Sequence, residues 1–88
     1  MFQINVGRKA DKFQLTLDEK TQQRMLDLLE VLKNSPVPVG KHDITKLTGH
    51  QATYRARIGE YRIIYTVFWN QRIIEVTRIE RKKDRTYK

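Results

Sequence analysis

The sequence contains no cysteine, only two prolines and four glycines, and no long apolar run. Without thiols there is no disulfide framework, no thiolate zinc site and no cysteine nucleophile. Without a run of about 20 apolar residues there is no helix suited to a bilayer, and no apolar stretch follows a basic start as a secretory signal would require. Histidine occurs only twice, at His42 and His50, in positions that read as loop or strand edge, so metal binding is not expected. Glycine-rich phosphate loops, dinucleotide fingerprints and paired-histidine helices are also missing, and neither a cofactor nor a small-molecule substrate is expected.

What is present is charge and alternation. The 88 residues carry 18 Lys+Arg against 10 Asp+Glu, a net charge of +8. A chain this short buries only about 60 to 65% of its unfolded surface, so a single domain spanning 1–88 with one core is expected. Residues 1–44 hold seven basic and six acidic side chains, whereas residues 45–88 hold eleven and four. Seven of those eleven are arginine, whose planar fork grips phosphate and stacks on bases. Charge concentrated in this way points to a polyanion, and nucleic acid is the natural one.

Phe2 to Val6 alternates apolar and polar and predicts a first strand ending at Gly7. A brief helix is expected over 8–15. Thr16-Leu17-Asp18-Glu19 has the form of a capping box and predicts a second helix starting there. Met25, Leu28, Leu29 and Leu32 fall on one face of that helix, and Asn34-Ser35-Pro36 stops it. Val37 to Lys41 is a rigid connector, and 43–47 has the composition of a short strand. Beyond it, Gly59-Glu60 and Asn70-Gln71 are turn signals between runs of β-branched and aromatic residues, predicting three adjacent antiparallel strands.

The first turn sets Ile58 opposite Tyr61, Arg57 opposite Arg62 and Arg55 opposite Ile64. The second sets Phe68 opposite Ile73 and Thr66 opposite Glu75. Carried on without interruption, it sets Ile64 opposite Thr77 and Arg62 opposite Ile79, with Arg81 on the same face. The other face collects Tyr54, Ala56, Ile58, Tyr61, Ile63, Tyr65, Val67, Trp69, Ile74 and Val76, and must carry the helices. The expected class is α+β: an N-terminal strand and helical hairpin packed on one face of a mainly antiparallel sheet, in the order β-α-α-β-β-β.

The open face then presents Arg55, Arg57, Arg62 and Arg81, with Lys82, Lys83, Arg85, Tyr87 and Lys88 following. Asp43, Glu60 and Glu75 are isolated rather than paired, which gives carboxylate acid–base catalysis little to work with. Arginines suit RNA cleavage instead. RNA supplies its own nucleophile, the 2′-OH, so the protein need only align it and stabilise charge on the phosphorane. Tyr87 adds a phenol able to stack on a base or shuttle a proton, with Arg85 and Lys88 as cationic neighbours.

The stretch from Tyr54 to Tyr65, YRARIGEYRIIY, resembles the central hairpin of RelE/ParE-type toxins. The element order and the Lys46-Leu47-Thr48-Gly49 segment agree with it, and the ending Asp84-Arg85-Thr86-Tyr87-Lys88 is most similar to archaeal RelE proteins. The resemblance covers essentially the whole chain. It implies a RelE-like fold and a toxin of a type II toxin–antitoxin system. It further implies cleavage of mRNA in the ribosomal A site and neutralisation by a RelB-like antitoxin, in the cytoplasm that the lack of cysteine and of a secretory signal already makes the default expectation. Partners would be that antitoxin, the ribosome and mRNA, with no membrane. By position it assigns Arg55, Arg57 and Arg62 to the phosphate, Arg81 to the leaving-group side in competition with Arg85, and Tyr87 to stacking or proton transfer. Lys46, Lys82, Lys83, Arg85 and Lys88 would contact RNA or ribosome. Bacterial members often carry lysine where Arg55 and Arg57 stand, so proton abstraction there does not transfer. Two alternatives are a ParE-like inhibitor of DNA gyrase and an RNA-binding module without catalysis; the C-terminal arginine and tyrosine favour the nuclease.

Overall fold

Alternation of side chains decides the architecture, and the computed structural model, which describes residues 1–38, 43–47 and 52–81, shows how. Strand β1 (Gln3–Val6) leads into helices α1 (Arg8–Gln14) and α2 (Glu19–Asn34). Strands β2 (Asp43–Lys46), β3 (Thr53–Ile58), β4 (Tyr61–Phe68) and β5 (Ile73–Arg81) follow. They form one sheet in the order β1-β5-β4-β3-β2, antiparallel except that β1 runs parallel to β5. The class is the expected α+β. The short strand foreseen at 43–47 joins the sheet as an edge, and β1 is the opposite edge.

The buried residues Met25, Leu28 and Leu32 of α2 meet Ala56, Ile58, Ile63, Tyr65, Val67, Ile74, Val76 and Ile79 from the sheet. Leu29 is partly buried against the same cluster, so the predicted stripe is the core face of the helix. Burying each of the valine, leucine, isoleucine and methionine side chains contributes about 1.5–3 kcal/mol. Among the described residues no polar or charged residue is buried, and the Tyr65 hydroxyl at the floor of the core donates to the Pro36 carbonyl at 2.7 Å. That bond ties the central strand to the segment leaving α2. Burial pushes the Tyr65 phenol above its usual range, with a smaller contribution from Tyr54, whose ring stacks on it at 5.6 Å.

The helix start differs from expectation. α2 begins at Glu19 with Asp18 as its N-cap, and the Thr16 hydroxyl instead donates to the Phe13 carbonyl at 2.6 Å, closing α1. The hydroxyl joins the Thr16 N–H on the Phe13 carbonyl behind it instead of reaching an amide ahead of it. Gln22 Nε2 donates to the carbonyls of Gln14 and Leu17 at 2.9 and 3.0 Å, bracing the corner between the helices. Gly7 makes the turn from β1 possible: its N–H donates to the Val76 carbonyl at 2.8 Å, and a Cβ there would lie 3.2 Å from that oxygen.

The β3–β4 turn has the expected register, with Ile58 opposite Tyr61, Arg57 opposite Arg62 and Arg55 opposite Ile64. Gly59 adopts φ 56°, which is why glycine is needed there. The β4–β5 turn also starts as expected, with Phe68 opposite Ile73 and Thr66 opposite Glu75. Trp69 departs from expectation: it is half exposed in the turn, edge-on to Phe2 at 5.6 Å, rather than part of the core.

A second departure carries more weight. Between Ile64 and Tyr65 the register shifts: Tyr65 faces Val76 while Ile64 faces Arg78, leaving Thr77 as an extra residue in β5. This is a β-bulge, which turns every later side chain of that strand to the other face. Burial drives it. Ile74 and Val76 reach the core at spacing two, and Ile79 reaches it only at spacing three.

Candidate nucleic-acid interface

The face of the sheet away from the helices is built by β2 to β5. Register places Arg55 and Arg57 of β3 beside Ile64 and Arg62 of β4, and these beside Arg78 and Glu80 of β5. Asp43 lies opposite Arg57, and Thr45 opposite Arg55. Four guanidiniums therefore share one surface: Arg55, Arg57, Arg62 and Arg78. Three of them were expected there and Arg78 was not.

The bulge accounts for the exchange. In an unbroken register Ile79 would stand opposite Arg62 and Arg81 would lie on the arginine face. In the structure Glu80 stands opposite Arg62, Ile79 is buried opposite Ile63, and Arg81 pairs with Tyr61 on the helix-facing row. Arg81 is thus separated from the other arginines. Its Nη2 and Nε donate to Glu60 Oε1 at 2.6 and 3.2 Å, and this bonding to Glu60 holds its guanidinium above the usual arginine range. Lys46 is exposed but registers with Tyr54, off the arginine face as well. Tyr87, Lys82, Lys83, Arg85 and Lys88, with His42 and His50, lie outside the described residues. The sequence does hold a signal for Arg78 and Glu80, namely the apolar spacing 74, 76, 79 in place of 74, 76, 78.

The ion pairs on this set are unequal. Arg62 Nε lies 2.6 Å from Glu80 Oε2, both side chains about 30% exposed. Arg78 Nε lies 3.4 Å from Glu80 Oε1. The pairs Arg57–Asp43, at 3.5 Å, and Arg81–Glu60 are far more exposed. Exposed pairs of that kind are worth about 0–1 kcal/mol and exchange readily for another anion. Glu75, opposite Thr66, forms no ion pair among the described residues.

Two shallow hollows adjoin the arginines. One, of about 440 Å³, is lined by Leu47, Thr53, Ile64, Thr66, Thr77 and Arg78 and lies on the open face at the bulge. The other, of about 240 Å³, lies between α2 and β3 with Arg24, Asp27 and Arg57 at its rim. Among the described residues no group of three or more His, Asp or Glu side chains is placed to hold a metal ion. Chemically, the face offers guanidinium forks that bind and neutralise phosphate, and arginine does not give up its proton in the working range. It can orient a phosphodiester and stabilise charge developing on it.

The sequence model of a toxin family, described as ParE toxin of type II toxin-antitoxin system, parDE, matches residues 6–85. A protein of Methanocaldococcus jannaschii provisionally named toxin RelE1 is 34% identical over 82 residues, covering 93% of this chain and 91% of that one. Among solved structures, the archaeal RelE–RelB complex from Pyrococcus horikoshii OT3 contains a chain 29% identical. Its TM-score is 0.87, with 96% of this chain and 98% of that one covered. A chain of the RelB–RelE antitoxin–toxin complex from Methanococcus jannaschii is 26% identical with a TM-score of 0.71, over 86% of this chain and 87% of that one.

Proposed function

Because this chain belongs to the RelE/ParE family of type II toxin–antitoxin toxins, we propose that it is a ribosome-dependent endoribonuclease that cuts mRNA in the A site and so stops translation. The observation that carries this reading is the cluster of Arg55, Arg57, Arg62 and Arg78 on one open sheet face. The RNA 2′-OH attacks the adjacent phosphorus, the P–O5′ bond breaks, and the products are a 2′,3′-cyclic phosphate and a 5′-OH end. The arginines hold the phosphate in line and balance the charge of the phosphorane. With Arg81 turned to the helix-facing row and bonded to Glu60, the leaving-group side falls to its competitor Arg85, and Tyr87 stacks on a base or passes a proton. Lys46, Lys82, Lys83 and Lys88 add contacts to the RNA or ribosome.

An open face with shallow hollows does not by itself hold RNA in the in-line geometry, so the ribosome supplies that constraint and naked RNA is a poor substrate. A RelB-like antitoxin that covers the arginines is the natural inhibitor, and the complexes of similar chains with RelB support it. Such an inhibitor should be acidic where it meets this face.

Primer extension on mRNA in a reconstituted translation reaction tests the proposal. Wild type should leave cuts confined to the A site, and Arg62→Ala should reduce them by about 10², the usual cost of one lost charge-stabilising donor. Rapid cutting of naked RNA would refute the ribosome dependence. If wild type leaves no cuts, the matching description as a ParE toxin makes DNA gyrase the next target, and a supercoiling assay reads it directly. Inactivity in both assays with retained RNA binding would leave a non-catalytic module.

A further inference from the structure

A carboxylate on a surface meant for a polyanion is unfavourable unless it has a task. Glu80 is such a carboxylate, in the middle of the arginine face opposite Arg62. Its two oxygens are divided between two arginines, Oε2 to Arg62 Nε at 2.6 Å and Oε1 to Arg78 Nε at 3.4 Å. The first is a hydrogen bond from the inner nitrogen; the second is an ion pair without a hydrogen bond, on an arginine whose side chain is 67% exposed. Arg62 makes no other hydrogen bond among the described residues, so both its terminal nitrogens remain for a ligand while Nε is held. A guanidinium fixed at Nε can still present its end-on fork to a phosphate, and a fixed fork loses less freedom on binding than a swinging one.

Resting on the nuclease reading above, we propose that Glu80 is a positioning residue that holds Arg62 by its inner nitrogen and presents its fork to the phosphodiester, with Arg78 beside it in a looser ion pair. Relative burial separates it from the other acids of the set. Glu80 is 29% exposed, whereas Asp43 and Glu60 are 63% and 66% exposed in their pairs. Those two are free to yield to an incoming phosphate, while Glu80 stays with Arg62. The bulge at Thr77 puts it there, since without that extra residue the position opposite Arg62 would be Ile79.

Charge alone and positioning predict opposite outcomes for removing it. Glu80→Ala raises the net charge by one, which by electrostatics tightens RNA binding and, if nothing else mattered, speeds cleavage. Positioning predicts instead that single-turnover cleavage on the ribosome slows about tenfold while affinity holds or improves. Because Glu80 acts through Arg62, the double variant Glu80→Ala/Arg62→Ala should cleave within about twofold of Arg62→Ala alone. Glu80→Gln, nearly the same shape, should keep the Arg62 bond through its amide oxygen and lose only part of the rate.

The experiment has two arms on the full chain. The first is the cleavage series just given, with thermal melting to confirm that each variant folds. Wild-type or faster cleavage by Glu80→Ala, or an undiminished extra loss on the Arg62→Ala background, overturns the proposal. The second needs no activity. The Arg62 Nε–H proton, followed by NMR, should be shifted downfield and slow to exchange in wild type, and lose both features in Glu80→Ala; identical spectra overturn the contact. A wild type that leaves ribosomal mRNA uncut would refute the nuclease reading, and the second arm would still decide whether Glu80 holds Arg62.

Discussion

The β5 bulge decides which residues flank Arg62, and Ile79 is the position that tests it. In an unbroken strand Ile73 and Ile79 would share the open face, and trimming either to alanine would cost little. In the structure Ile79 is 8% exposed and packs in the core, whereas Ile73 is partly exposed on the open face. Ile79→Ala removes about 2.4 kcal/mol of buried methylenes at roughly 0.8 kcal/mol each, plus a cavity contribution that brings such losses to about 2–5 kcal/mol. The site borders a hollow of about 130 Å³ lined with Met25, Leu26, Leu29 and Ile63, so neighbours can relax into the gap. That places the expected loss near the lower end, about 3 kcal/mol. Ile73→Ala should cost less than about 1 kcal/mol. In a domain of this size 1 kcal/mol moves the melting temperature by about 4–8 °C. Calorimetry should therefore separate the two variants by about 10 °C or more, with denaturant midpoints in the same order. Equal and small losses would mean that β5 runs straight, and would remove Arg78 and Glu80 from the arginine face.

Three further outcomes are expected. The Tyr65 phenol is raised by burial, so the folded chain keeps a proton that the unfolded chain releases above about pH 10. Stability should accordingly fall as pH rises past about 10, and Tyr65→Phe should flatten that fall while costing about 1 kcal/mol at neutral pH through the lost bond to Pro36; unchanged alkaline denaturation would contradict the buried, protonated phenol. Arg72 sits in the β4–β5 turn at φ 59°, so Arg72→Gly should stabilise by about 0.5–1 kcal/mol in denaturant titration, and a loss would show that its side chain matters more than its backbone. Binding of single-stranded RNA to the four arginines should weaken with salt at a log–log slope of about −3, and Arg78→Ala should reduce it by about 0.7, with no change excluding Arg78 from the contact.

Legibility of the fold followed from burial. Where alternation was continuous, as from Tyr54 to Val67, one face had to be apolar, and the Gly59-Glu60 turn then fixed which arginines shared the other. The helix stripe was equally clear because Met25, Leu28 and Leu32 all seek the same surface. Local hydrogen bonding was harder to read, since Thr16 has an acceptor behind it and donors ahead of it at similar reach, and the choice rests on where α1 ends. The site was half legible for a related reason. Polar residues carry no alternation of their own; they are placed by the apolar residues between them. A turn signal at Asn70-Gln71 fixed only the first pairs of β5, and extending that register assumed an interval of two throughout. Ile74, Val76 and Ile79 contradict it, because three apolar side chains can share a core only if one residue between the last two leaves the pleat. Once the strand is aligned on its buried positions rather than counted from its turn, Arg81 moves to the helix side and Glu80 comes to rest on Arg62. For a basic face on a small sheet, then, the arginines are located by first placing every isoleucine and valine of the strand.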